Sequence, residues 1–234
     1  MFRIIAVVAA AGALTLGATL GAAPAFADNA PKPTAHSSLT QIQQAGAIQT
    51  ANRITALNNA ITRVNSNTTL TASDRGTILG TLNTDVAAMT SLQAKIAADT
   101  TVSTAWTDYR SIFTQYRVYA VVLPQSYEAA AADGLTDTAI PKLQSAHDKL
   151  AANLAADPSK WSSAMQSQLS DMQAKIDDAK TRSDGLAARA LAVTAAGYNA
   201  DHTLIANIRT DLRTAVSDAR AAGQDGKALV QALQ

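Results

Sequence analysis

Residues 208–233 read IRTDLRTAVSDARAAGQDGKALVQAL. Within them Ile208, Leu212, Ala215, Ala219, Ala222, Gly226, Leu229 and Leu233 recur at intervals of four and three, the spacing of a coiled-coil seam. A strand would alternate apolar and polar residues, and no such alternation occurs here. The spacing therefore predicts one long helix that begins after Asn199 or Asp201 and runs to the end of the chain. Asp211, Asp218 and Asp225 hold one flanking position in three successive heptads, while Arg213, Arg220 and Lys227 repeat every seven on the outer side. Such an Asp row either faces solvent or meets cations on a neighbouring helix and fixes register. Ala219, Ala222 and Gly226 leave little bulk in the seam, so another helix can approach closely.

The same period extends upstream as far as Leu39. A first helix is expected over 39–64, with its clearest stripe at Ile54, Leu57, Ile61 and Val64. A second, with Thr71 as N-cap, carries Leu79, Leu82, Val86, Met89 and Ile96. A third is expected over 102–132, ending at Asp133-Gly134. A fourth covers 141–156, with Leu143, Ala146, Leu150 and Leu154 inward. Asp157-Pro158 then reads as the start of a fifth helix bearing Trp161, Met165, Leu169, Met172 and Ile176. That helix is expected to continue through Gly185 to Ala196, with Gly197 as a C-cap. Pairs at i,i+4 (Lys95–Asp99, Asp171–Lys175, Asp178–Arg182, Lys180–Asp184) would add about 0.2–0.5 kcal/mol each. The fold class is all-α: an elongated antiparallel bundle or coiled coil of five to six long helices, forming a single domain over 39–234.

One helix differs from the rest. Trp106, Tyr109, Phe113, Tyr116, Tyr119 and Tyr127 all fall between 102 and 132, and 118–123, VYAVVL, is apolar nearly all round. A helix of that pattern is buried on several sides. Pro124 is expected to kink it, or to end its first half near Leu123. Arg110 and Arg117 lie seven apart beside the tyrosines. The candidate ligand or partner face is thus Trp106, Tyr109, Arg110, Tyr116, Arg117, Tyr119 and Tyr127, where cations stack on rings or hold a carboxylate or phosphate. The competing reading is a core helix whose tyrosine hydroxyls reach the surface.

Composition narrows the chemistry. The 234 residues include 52 alanines, about 22%, and no cysteine. Disulfide scaffolds, thiolate metal sites, Cys nucleophiles and lipidated Cys anchors are thereby excluded. A net charge of +1 gives no footprint for nucleic acid. Seventeen of the 18 acidic residues are Asp, and Glu128 has no second Glu to pair with. His147 and Asp148 are neighbours in sequence and are not expected to face each other on a helix. No phosphate-binding loop, nucleophile elbow, dinucleotide fingerprint or zinc motif occurs. The sequence therefore predicts no catalytic residue, no cofactor and no metal site, and a protein that is not an enzyme.

The N-terminus reads as an address. Met1-Phe2-Arg3 precedes an uncharged apolar stretch to Ala23, and Ala25-Phe26-Ala27 is a cleavage pattern, so 1–27 is expected to be a signal peptide. The competing reading is a retained anchor. Residues 28–38, with Pro31 and Pro33, form a linker. Cleavage removes Arg3, one of 19 basic residues, and leaves a net charge of zero with no further membrane span expected. The stretch 111–125, SIFTQYRVYAVVLPQ, with LQAKIAADT at 92–100 and YNADHTLIANIRTDLRTAVSDARAA at 198–222, resembles segments of secreted all-helical proteins of high-GC Gram-positive (actinobacterial) bacteria. The resemblance implies export and an all-helical body, and carries over no catalytic or binding residue. The expected role is structural or adhesive, at the cell envelope or outside the cell, with a protein or cell-wall partner or a second copy. The alternatives are a ligand-binding module built on 102–132 and a membrane-active amphipathic bundle.

Overall fold

The computed structural model describes residues 33–34 and 36–234. The signal segment expected over 1–27, and residues 28–32 and 35 of the expected linker, lie outside the described residues. The chain is all-α, and no strand occurs among the described residues. Its α-helices are α1 (Leu39–Ser66), α2 (Ala72–Ala98), α3 (Val102–Ser111), α4 (Leu123–Asp133), α5 (Ile140–Ala156), α6 (Ser163–Ser183), α7 (Leu186–Leu191), α8 (Ala195–Ala200) and α9 (Leu204–Ala232). They gather into two compact units. One runs to Ala129 and takes in Ala188–Ala206; the other joins Ala130–Ala187 to Asn207–Gln234.

In the first unit α1 starts with a capping box. Ser38 Oγ accepts from the Gln41 amide, and Gln41 Oε1 accepts from the Ser38 amide at 2.8 Å. The helices α1 and α2 pack antiparallel. Near one end Gln43 Nε2 donates to the Ala97 and Asp99 carbonyls, and Gln93 Nε2 donates to the Ala47 carbonyl. At the other end Arg75 Nη1 donates to the Val64 carbonyl at 2.6 Å, closing the open end of α1 with a cation where the helix dipole favours one. Close approach is set by Gly46: a Cβ there would stand 2.8 Å from Ile96 Cγ2. The buried face of α1 includes Ile42, Gly46, Gln49, Thr50, Arg53, Leu57, Ala60 and Val64, while Ile54 and Ile61 of the expected stripe are only half-buried. On α2 the buried residues are Ile78, Leu82, Met89, Leu92 and Ile96, spaced four and three around Asp85. Thus a carboxylate holds one seam position. Burial pushes the Asp85 carboxyl up to about 6.

In the second unit α5 and α6 meet through reciprocal amide bonds between Gln144 and Gln173, at 2.8 and 3.1 Å. The seam of α9 is buried from Ile208 to Leu229, through Leu212, Ala215, Ala219 and Ala222, as the spacing predicts. Its flanking Asp row meets cations of α6: Lys175 Nζ lies 2.5 Å from Asp225 Oδ2, and Arg182 Nε lies 3.0 Å from Asp218 Oδ2. Of the two readings of that row, the pairing between helices is the one the structure shows for Asp218 and Asp225. This also corrects the expected i,i+4 pairs. Lys175 and Arg182 reach across to α9, and Lys95 reaches Asp108 on α3 at 2.9 Å. A carboxylate on a packed neighbour is partly desolvated and better held than one on the same exposed face.

Four expected helix boundaries are corrected. In place of the stop expected at Asp133-Gly134, Gly134 opens a π-turn over Gly134–Ala139, and the chain stays helical from Leu123 to Ala156. Pro141 follows that wide turn by two residues, as Pro124 follows another over Val118–Val122. In both cases the residue before proline donates five back, Leu123 to Val118 and Ile140 to Leu135. The extra residue gives room for the ring and its missing donor. Asp157-Pro158 opens only a 3₁₀ turn, and α6 starts later, from Ser162 as N-cap. Trp161 lies in that connection, 5% exposed, with its indole N–H donating to Asn153 Oδ1 at 3.1 Å. Gly185, at φ +65°, ends α6 instead of being passed through, since only glycine takes that conformation without cost. Gly197 lies inside α8, where its amide donates to the N-cap Thr194 Oγ1 at 3.0 Å; it is not a C-cap.

Candidate functional site

The aromatic helix expected over 102–132 is interrupted, and at Arg117, not at Pro124. After α3 the chain forms a π-turn over Ile112–Tyr116, passes Arg117 at φ 48°, ψ 35°, and forms a second over Val118–Val122 before α4. Arg117 is the sole non-glycine residue with positive φ among the described residues. The left-handed region costs an L-residue about 1–2 kcal/mol. It persists because neighbouring elements hold both sides of the break. The Arg117 carbonyl accepts from the amides of Ala120, Val121 and Val122, so one acceptor restarts the helix.

From α8 the Asn199 amide bridges the break. Arg117 Nε donates to Asn199 Oδ1 at 2.8 Å, and Asn199 Nδ2 donates to the Thr114 carbonyl at 2.8 Å. The Arg117 guanidinium stands 5.5 Å from the Tyr198 ring centre, and Tyr198 packs edge-on to His202 at 4.9 Å.

From α1 the centre is filled by Arg53, 4% exposed. Its guanidinium carbon lies 4.8 Å from the Phe113 ring centre and 4.5 Å from that of Tyr119. On a regular α-helix, residues six apart project about 120° from each other and lie about 9 Å apart along the axis. The left-handed step at Arg117 is what turns both rings onto one cation. Desolvated contacts of this kind contribute about 2 kcal/mol each. Arg53 Nη1 also donates to the Gln49 carbonyl at 2.9 Å and to Gln49 Oε1. The ladder continues to Tyr109, edge-on to Phe113 at 5.3 Å, and to Trp106, stacked on Tyr109 at 5.7 Å.

The expected face therefore divides. Trp106, Tyr109 and Tyr119 join the ladder, Arg117 holds the break, Tyr127 lies in the core at 8% exposure, Tyr116 is half-buried and Arg110 is exposed. The composition and spacing of 102–132 did not point to Arg53, Gln49, Tyr198 or Asn199. One signal for Arg53 was present: it sits in helical register with Gly46, Leu57, Ala60 and Val64.

Elsewhere the polar chemistry is peripheral. His147 Nδ1 does reach Asp148 Oδ1, at 3.3 Å, contrary to the expectation for helix neighbours. The Gln144 amide, and then the imidazole, hold the Asp148 carboxyl below the usual carboxylate range. Among the described residues no cluster of three or more histidines and acids is placed to hold a metal ion, and no helix is long and apolar enough to cross a membrane. No family model matches the chain, and neither a curated protein nor a solved structure matches it.

Proposed function

We propose that this chain is an exported, non-enzymatic helical protein with a structural or interaction role at the cell envelope or outside the cell. The observation that carries this reading is the closure of its most chemistry-rich cluster: Arg53 is buried between Phe113 and Tyr119, so the cation and both rings serve to fix the shape of the unit. What such a molecule offers a partner is its outer helical surface. The likeness to secreted actinobacterial proteins supports the extracellular setting. The test is co-sedimentation of the purified exported chain with isolated envelope from the secreting cell. Binding that saturates and survives washing is expected; a chain that stays in the supernatant at every concentration refutes the envelope role. A second reading, a ligand-binding module, is favoured by the exposed position of the Arg117–Asn199–Thr114 bridge, which sets polar groups and the Tyr198 ring together at the surface. In that case Tyr116→Ala abolishes binding while the helical circular dichroism is unchanged.

A further inference from the structure

On the outer surface of the second unit one row of α9 is wholly basic and one face of α6 is predominantly acidic. On α9 the solvent-facing row is Arg213, Arg220 and Lys227, all exposed, with exposed Ser217 and Gln224 between them and no acid in the row. The acids of α9 lie on the flank, where Asp218 and Asp225 are engaged by α6. Successive cations stand about 10.5 Å apart along the axis. None of the three has an ion-pair partner among the described residues.

The exposed face of α6 is the complement. Asp171 and Asp178 are exposed and also seven apart, and Asp177 and Asp184 edge the other side of the same face. Between the two edges run Ala174 and Thr181, small enough to let another helix lie close. Of the cations of α6, Lys175 and Arg182 are committed to Asp225 and Asp218, and exposed Lys180 lies on the far edge beside Asp177 and Asp184.

We propose that the α9 basic row of one copy docks on the α6 acidic face of a second copy of this chain. The two rows share the heptad repeat, so cations and carboxylates fall in step over at least two turns of the repeat. The balance of charge in the exported chain fits a self-complementary surface. Because each copy carries both faces side by side, the contact either closes reciprocally as a two-fold dimer or propagates copy to copy into a ring or a filament. It rests on exposed pairs, so it is weak and salt-sensitive. The inference depends on the reading of the chain as a protein that works through its surface.

The test is sedimentation velocity of the purified exported chain at 20 mM and 500 mM NaCl. Two charge reversals accompany it: Arg213→Asp with Arg220→Asp and Lys227→Asp, and Asp171→Lys with Asp178→Lys. The expected result is a dimer or larger assembly at low salt that collapses to monomer at high salt. Each reversed variant should associate at least ten-fold more weakly, and an equimolar mixture of the two should associate again. If the triple reversal fails to fold by circular dichroism, the neutral Arg213→Gln, Arg220→Gln, Lys227→Gln variant should show the same loss. Monomer at low salt, association indifferent to salt or reversal, or a mixture that does not recover overturns the proposal. Polyphosphate binding that needs the three cations in a chain that never self-associates also overturns it and makes an anionic polymer the occupant. A monomeric chain that still binds envelope refutes the second-copy contact alone and leaves the surface role standing.

Discussion

Asp85 gives the sharpest quantitative test. It occupies the seam of α2 between Leu82 and Met89, where every other position of the four-three repeat from Ile78 to Ile96 is apolar and buried. A carboxyl held at about 6 instead of 3.8 corresponds to about 3 kcal/mol at 1.36 kcal/mol per pH unit. The side chain keeps part of its hydration, so screening reduces the expected effect to about 1–2 kcal/mol. Its sign follows from the raised value. The protonated form suits the fold, so its contribution is fully present below pH 3.8 and is lost as the pH rises through about 6. Asp85→Asn keeps the shape and removes the charge. With a urea slope of about 2 kcal/mol per molar, the variant should unfold at about 0.5–1 M more urea than the parent at pH 7.5. At pH 4 the two midpoints should coincide. Unfolding followed by circular dichroism at the two pH values measures both. A variant less stable than the parent at pH 7.5, or a gain of equal size at both values, refutes the reasoning.

Three further outcomes follow from the geometry. At position 117 the left-handed backbone reverses the usual helix ranking: Arg117→Gly should be about 1 kcal/mol more stable than Arg117→Ala, whereas in a regular helix alanine leads by that amount, and thermal melts of the pair decide. Arg53→Ala should cost about 3–4 kcal/mol by leaving a cavity between the two rings, and Arg53→Met distinctly less, since an apolar chain of similar length refills it; denaturant midpoints give the order. Gly46→Ala should destabilise by about 1 kcal/mol despite alanine's helix preference, because the new methyl meets the stiff branch of Ile96; a neutral or raised melting temperature would show that α1 and α2 can part without cost.

How much was legible follows from what each signal depends on. The long helices are written in apolar spacing, and α9 is read almost to the residue because its seam is a strict four-three repeat. The cap at Thr71 is local and was legible too. The buried face of α1 was misjudged because it is built partly from polar residues, Gln49, Thr50 and Arg53, which a hydrophobic pattern passes over. The break at Arg117 has no composition of its own: arginine does not favour the left-handed region, and only contacts from α1 and α8, distant in sequence, keep it there. Both prolines pointed to real irregularities, but these lie in the wide turns before them. Trp161 and the interhelical ion pairs were misplaced for a related reason, since tertiary burial outweighs local capping and i,i+4 attraction.

The clamp on Arg53 ties the evolution of distant positions together. Its two rings meet the cation through the turn at Arg117, so a change at 53, 113 or 119 is felt at the other two, while the turn itself accepts glycine. In a diverging lineage the arginine gives way most readily to a long apolar residue that fills the same space between the rings. A single insertion or deletion between 113 and 119 would dissolve the whole arrangement in one generation.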